Sequence, residues 1–171
     1  MRSFLMLSIL ALVACSPSSP GGNSATPVVA NSTADTGGKR GNEPADSPSA
    51  RAARDVVERY FKSIEAKDYA AAYRLWGNDG ADAGGSLKDF EQTFALYSKY
   101  EPEAGAPTEI RARDGMQYVA VAAKLFVENR TNRKTANKSG TVLLRRSVDP
   151  ADPVASKRDW RIWGVDLRVK N

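Results

Sequence analysis

Residues 51–76 read RAARDVVERYFKSIEAKDYAAAYRLW, and they encode two helices in succession. Val56, Val57, Tyr60, Phe61 and Ile64 recur at the spacing that puts side chains on one face of an α-helix. Lys67-Asp68 interrupts that pattern. Asp68 is a residue type that opens a helix by accepting hydrogen bonds from its first free amides. The second predicted helix therefore runs from Tyr69 to Trp76, with Tyr69, Ala72, Tyr73 and Trp76 along its apolar face.

The following stretch, GNDGADAGG (77–85), is built of small and turn-forming residues and reads as a loop. Ser86 and Asp89 imitate a capping box, with Asp in the usual Glu/Gln place. They open a third predicted helix from Leu87 to about Lys99, with Phe90, Phe94 and Tyr97 on one face. Beyond Pro107 the pattern becomes strand-like. Strands are predicted over 108–113, 116–128, 140–148 and 159–169, the first two joined by the hairpin turn Asp114-Gly115 and the others by polar loops over 129–138 and 149–158. Helices first and hairpin-joined strands later imply an α+β domain with an antiparallel sheet of about four strands.

Both faces of these strands carry apolar residues. Val119, Val121, Leu125 and Val127 share one face of the long strand, against Tyr118, Ala120, Ala122 and Phe126 on the other. On the last strand, simple alternation puts Trp163, Val165, Leu167 and Val169 together, opposite Trp160 and Ile162. A sheet with one wet face alternates more cleanly. Something is therefore expected over the second face: a second copy in a homodimer, a curled sheet edge or a ligand.

The chain begins MRSFLMLSILALVAC. A positive start followed by about eleven apolar residues is too short to span a bilayer but has the length of a signal-peptide core. The ending Leu12-Val13-Ala14-Cys15 resembles the lipobox of bacterial lipoproteins. That resemblance implies cleavage after residue 14 and acylation of Cys15, the single cysteine of the chain. A lone cysteine has no internal disulfide partner. Two or three acyl chains anchor a protein stably to a membrane without a spanning helix. With Ser16 in place of Asp after the cysteine, the resemblance further implies an outer-membrane lipoprotein facing the periplasm.

Residues 16–50 hold no aromatic residue and five of the nine prolines. Such a segment buries too little apolar surface to offset its ordering entropy. Residues 15–50 are thus read as an acylated cysteine with a disordered tether, and residues 51–171 as a single domain carrying 13 of the 14 aromatic residues. The absence of histidine, and of any cysteine beyond residue 15, removes the commonest general base, thiolate chemistry and most metal ligands. Neither a metal nor a cofactor is expected.

VVERYFKSIEAKDYAAAYRLW (56–76) and the closing WRIWGVDLR (160–168) resemble the nuclear transport factor 2-like superfamily. The likeness spans 51–171 and implies a cone, in which a curved sheet wraps the first helix and leaves a pocket at its open end. Members include isomerases, cyclases and domains without known activity. The expected function is a periplasmic lipoprotein whose cone binds a small apolar ligand, or an envelope or protein partner, without catalysis. The alternative is an isomerase- or cyclase-type enzyme using Asp and Tyr. Tyr60 and Asp166 are of the right types, although neither matches the isomerase pattern residue by residue.

Tyr60, Tyr73, Trp76, Phe94, Tyr97 and Tyr118 are the candidate pocket walls, or else core. Asp166, flanked by Arg161 and Arg168, reads as an ion-pair partner. The charge is split: residues 51–110 hold 8 basic and 11 acidic side chains, whereas residues 111–171 hold 14 and 6. Arg130, Arg133, Lys134, Lys138, Arg145 and Arg146 are the candidate basic face. Such a face attracts anionic envelope components or serves as solvated surface. No recognition motif points to nucleic acid.

Overall fold

The structure is a computed structural model and describes residues 42–169. The signal segment, Cys15 and residues 16–41 of the tether lie outside the described residues. Helix α1 spans Pro48–Glu65. Its start is set by Ser47, whose side chain accepts from the Ala50 amide, and by a proline at the first position, where no amide partner is lost. Ala53, Val57, Phe61 and Ile64 lie on its buried stripe with Tyr60. The helix ends in a Schellman motif, with Asp68 N donating to Ser63 O and Lys67 N to Ile64 O. Lys67 takes the left-handed position usually given to glycine, at φ 61°.

Asp68 caps α2 (Tyr69–Arg74) by accepting from the Ala71 amide. The chain then runs alongside the last strand, with Ile162 N donating to Leu75 O and Gly77 N to Ile162 O. Residues 78–83 form 3-10 turns around a left-handed Asp79-Gly80 pair. Gly80 is required there: its φ is 101°, and a Cβ would lie 2.0 Å from the Tyr73 ring. The Tyr73 hydroxyl donates to Gly85 O and ties down the far end of this loop. Helix α3 (Leu87–Ala95) opens with the Ser86/Asp89 capping box that its sequence suggests.

α3 stops at Ala95, four residues before the predicted end, and the chain turns directly into strand β1 (Tyr97–Pro107). The free carbonyls at the helix end explain the stop. Arg130 Nε donates to Ala95 O, Arg130 Nη2 to Tyr97 O, and the Arg130 amide to Leu96 O. A cation at a helix C-terminus is also electrostatically favoured. The strand itself holds Pro102, Gly105 and Pro107, poor strand formers that a sheet tolerates at its edge. β1 is an edge strand.

The sheet has five strands rather than about four. It is curved and antiparallel, with β1, β3 (Met116–Asn129), β4 (Thr135–Ser147) and β5 (Arg161–Val169) in that order, and β2 (Arg111–Arg113) pairing with β3. Asp114 and Gly115, at φ 52° and 73°, make the expected two-residue turn from β2 to β3. β4 starts five residues earlier than the sequence suggests, because its polar first residues pair with β3 from Thr135 onward.

The fold also reaches back before residue 51. Glu43 and Ile110 exchange backbone hydrogen bonds of 3.0 and 2.8 Å, and Asn42 accepts from the Ala112 amide. Residues 42–50, read from sequence as tether, thus cover the sheet edge and begin α1. The core lies between α1 and the inner face of the sheet, where Val57, Ile110, Val121, Val142, Leu144 and Ile162 are fully buried.

The alternation expected for β3 holds, with Val119, Val121, Leu125 and Val127 all buried. On β5 it breaks. Leu144 pairs with Ile162 but Leu143 pairs with Gly164, so Trp163 is an extra, bulged residue. Ile162, Val165 and Leu167 consequently share the inner side. Trp163 stays outside against Tyr118, their ring centroids 6.1 Å apart. This corrects the grouping of Trp163 with Val165 and Leu167.

At one end of the sheet a polar network replaces apolar packing. Gln117, fully buried, donates from Nε2 to Glu43 Oε1 at 2.8 Å and accepts from Arg146 Nε at 2.8 Å. Arg146 also donates to Ser49 Oγ and stacks 4.6 Å over the Trp160 ring, while Trp160 Nε1 donates to Ser49 O.

Candidate functional site

α1, α3 and the inner face of the sheet line an open cavity of about 340 Å³. Its size lies at the lower end of small-molecule sites. Each element contributes a wall: Tyr60 from α1, Trp76 after α2, Phe90 and Phe94 from α3, Tyr100 from β1, Leu125 from β3, and Val165 and Leu167 from β5. The bulge at Trp163 is what turns the β5 side chains inward. The rings fix one another edge to face. Phe90 and Phe94 are 4.9 Å apart at 65°, Phe94 and Tyr100 5.5 Å at 85°, and Tyr60 and Trp76 6.1 Å at 77°.

Polar groups share this space with the rings, from Tyr60, Asp89, Thr93, Tyr97, Tyr100 and Lys138. Tyr60 is 3% exposed, and burial pushes its phenol well above the ordinary range. The buried Trp76 indole N–H lies towards the Tyr60 oxygen but finds no acceptor in hydrogen-bond geometry. Burial raises the Tyr100 phenol as well, and the nearby Tyr60, Tyr97 and Glu65 add to the shift. Lys138 lines the cavity, its Nζ 3.4 Å from the Tyr97 hydroxyl and 5.6 Å from that ring's centroid. Asp89 sits at the lip. Hydrogen bonds from the Ser86 hydroxyl and amide hold its carboxyl below the usual range.

Four of the six aromatic residues picked from the sequence line this cavity: Tyr60, Trp76, Phe94 and Tyr97. Tyr73 instead packs behind the wall against Phe90 and Gly80, and Tyr118 lies on the other face of the sheet. Sequence reading missed Phe90, Tyr100, Leu125, Lys138, Val165 and Leu167 as walls. Tyr100 went unnoticed because β1 did. For Lys138 a signal existed: counting back by twos from the buried Leu144 and Val142 reaches residue 138 on the same face.

The six basic residues do not form one surface. Arg130, Arg133 and Lys134 sit at the β3–β4 turn, whereas Arg145 and Arg146 lie near the far end of the 13-residue β4. Most have structural work. Arg130 caps α3, Arg133 pairs with Glu128 at 2.7 Å, and Arg145 pairs with Asp82 at 2.8 Å and stacks on Trp163. Asp166 forms the expected ion pair, with two hydrogen bonds of 2.8 and 3.0 Å from Arg168. That contact lowers its pKa. Asp166 pairs with Thr141 on the outer side of the sheet, so the structure does not bring it together with Tyr60.

A second cavity of about 550 Å³ lies among loop residues with Arg145, Arg146, Lys157 and Arg161. Three of its cations are already engaged: Arg145 by Asp82, Arg146 by Gln117 and Ser49, and Arg161 by the carbonyls of Ser156 and Arg74. Among the described residues no three His, Cys, Asp or Glu side chains cluster as a metal site, and no helix is long and apolar enough to cross a membrane. No protein-family model matches the chain, and neither the curated proteins nor the solved structures include a match to it.

Proposed function

We propose that this chain is an envelope lipoprotein, anchored through acyl groups on Cys15, whose nuclear transport factor 2-like domain binds a small, largely apolar molecule. The observation that carries the binding role is the ring-lined cavity of about 340 Å³, to which all three helices or their flanks and four strands contribute. Aromatic walls interspersed with polar tips suit recognition of a small organic molecule. For the isomerase-type alternative, which would use Asp and Tyr in the cavity, Asp166 is not the acid, because it pairs with Arg168 on the outer face; the aspartate on the cavity wall is Asp89.

Native mass spectrometry of the full chain, purified from its own host in a short-chain detergent, tests the binding role. The expected result is an extra mass of a few hundred daltons, distinct from detergent and lost on denaturation. A bare chain in every charge state overturns it. The anchor is tested separately: Cys15→Ala should leave an unprocessed precursor without acyl mass, and normal processing of that variant would remove the anchor from the proposal.

A further inference from the structure

We infer that one end of the domain, where the β3–β4 turn meets the end of α3 and the α1–α2 turn, docks on an anionic lipid surface. Leu96 enters the headgroup layer there, and Lys67, Lys99, Arg130 and Lys134 face the lipid phosphates. This rests on the acyl anchor, which brings the domain to a bilayer, and not on the ligand in the cavity.

Backbone contacts put these residues together. The Arg130 amide donates to Leu96 O, and its guanidinium donates to Ala95 O and Tyr97 O. Lys67, Lys99 and Arg130 line one shallow hollow beside that corner, and Lys134 closes the turn by accepting from the Asn129 amide. All four cations are exposed. None of them has a carboxylate partner among the described residues. With Arg133, the hollow and the turn carry five cations against three carboxylates, Glu65, Glu101 and Glu128. The opposite end of the sheet differs. There Arg111, Arg113, Arg145, Arg146 and Arg161 each have a carboxylate partner. Leu96, 58% exposed, and Val169, 57% exposed, are the two most exposed large apolar side chains among the described residues. Leu96 adjoins Arg130, and Val169 pairs with Lys138 at the same end of the sheet. An apolar side chain among unpaired cations suits anionic headgroups over hydrocarbon. A soluble polyanion offers the leucine nothing.

The length of chain between the anchor and the domain permits this orientation. The described chain starts at the opposite end of the sheet, where Asn42 and Glu43 bond to Ala112 and Ile110. β3, of 14 residues, is about 46 Å long. Residues 16–41 reach at most about 90 Å when fully extended. An anchor at Cys15 therefore leaves the basic end within reach of the same bilayer. Tyr97 and Lys138 also line the cavity, so the docking surface borders the ligand space.

The test reads hydrogen exchange of the full chain, purified from its own host and held by its acyl groups in vesicles. One set is phosphatidylcholine alone, and the other also contains phosphatidylglycerol. Each cation at an anionic surface shifts the docked population about fivefold. Amides over 96–100 and 129–134 should therefore exchange about tenfold or more slowly on the anionic vesicles at low salt, and high salt should remove the difference. Lys99→Glu combined with Lys134→Glu should abolish it, Leu96→Ser should reduce it, and Arg113→Glu, at the opposite end, should leave it unchanged. The comparison of the two vesicles on the unaltered chain stands even where a variant fails to fold. Equal exchange on both vesicles overturns the inference and leaves the anchor intact. Slowing confined to 111–116 or 149–158 also overturns it, because the opposite end is then the one that docks. Soluble polyphosphate that slows the same amides as strongly on neutral vesicles, with Leu96→Ser without effect, overturns the lipid assignment. A chain that floats with neither kind of vesicle overturns the anchor and the inference together.

Discussion

Replacing Gln117 by leucine tests whether the polar network, rather than apolar packing, holds the N-terminal segment on the sheet. Gln117 is fully buried and makes two hydrogen bonds of 2.8 Å, one to the carboxylate of Glu43 and one from the guanidinium of Arg146. Hydrogen bonds to charged groups contribute about 1.5–3 kcal/mol each. Two effects offset the loss of both. The side chains of Glu43 and Arg146 keep 29% and 17% of their exposure, so water recovers part of their solvation. A buried leucine also adds about 2 kcal/mol of apolar transfer. The net destabilisation expected is about 2–3 kcal/mol. For a folded body of this size that corresponds to roughly 8–12 °C in Tm.

Urea unfolding of the full chain, followed by tryptophan fluorescence, gives the global number. Hydrogen exchange at the Glu43 and Ile110 amides, which pair with each other's carbonyls, reports the local effect. Both amides should exchange faster in Gln117→Leu, and a double-mutant cycle with Glu43→Gln should show coupling. A leucine variant within about 0.5 kcal/mol of the parent, with both amides exchanging as before, would refute the reasoning.

Gly80→Ala should destabilise by about 1–3 kcal/mol, since its Cβ meets the Tyr73 ring at a φ of 101°; denaturant midpoints check this, and an unchanged midpoint would mean that Tyr73 does not pack there. Lys67→Gly should stabilise by about 0.5–1 kcal/mol, because it relieves a left-handed lysine in the α1 Schellman motif; the same denaturant series reads it. The Asp89 carboxyl is held below its unfolded value by Ser86. Its stabilising effect is therefore present above about pH 4 and is lost as pH falls through the lower folded value. Asp89→Asn should flatten the acid limb of Tm against pH, and an acid limb identical to the parent's would remove the capping box as its source.

The two opening helices were legible because Val56, Val57, Tyr60, Phe61 and Ile64 repeat at helical spacing on an otherwise polar segment, and Asp68 punctuates them. The long third element, β3, was legible from its alternation. β1 was not. Tyr97–Pro107 contains two prolines and a glycine, and its strand state comes from pairing with β3 at the sheet edge, a long-range effect that local propensity does not carry. The end of α3 was missed for a related reason, since the group that satisfies it, Arg130, lies 35 residues away from Ala95. Of the cavity, Tyr60, Trp76, Phe94 and Tyr97 were legible as aromatic residues. Lys138, Val165 and Leu167 required the register of β4 and β5, and with it the bulge at Trp163.

That bulge makes the binding space a matter of counting. With Trp163 in the chain, Val165 and Leu167 face inward because that surplus residue is bulged out of the pairing. Deleting Trp163 would restore plain alternation in the same pairing, with Ile162 opposite Leu144 and Gly164 opposite Leu143, and Val165 and Leu167 would still face inward. Asp166 would stay on the outer side, opposite Thr141. The bulge thus works as a register buffer: the strand carries one residue more than its pairing uses, and the aliphatic wall keeps its identity whether that residue is present or removed.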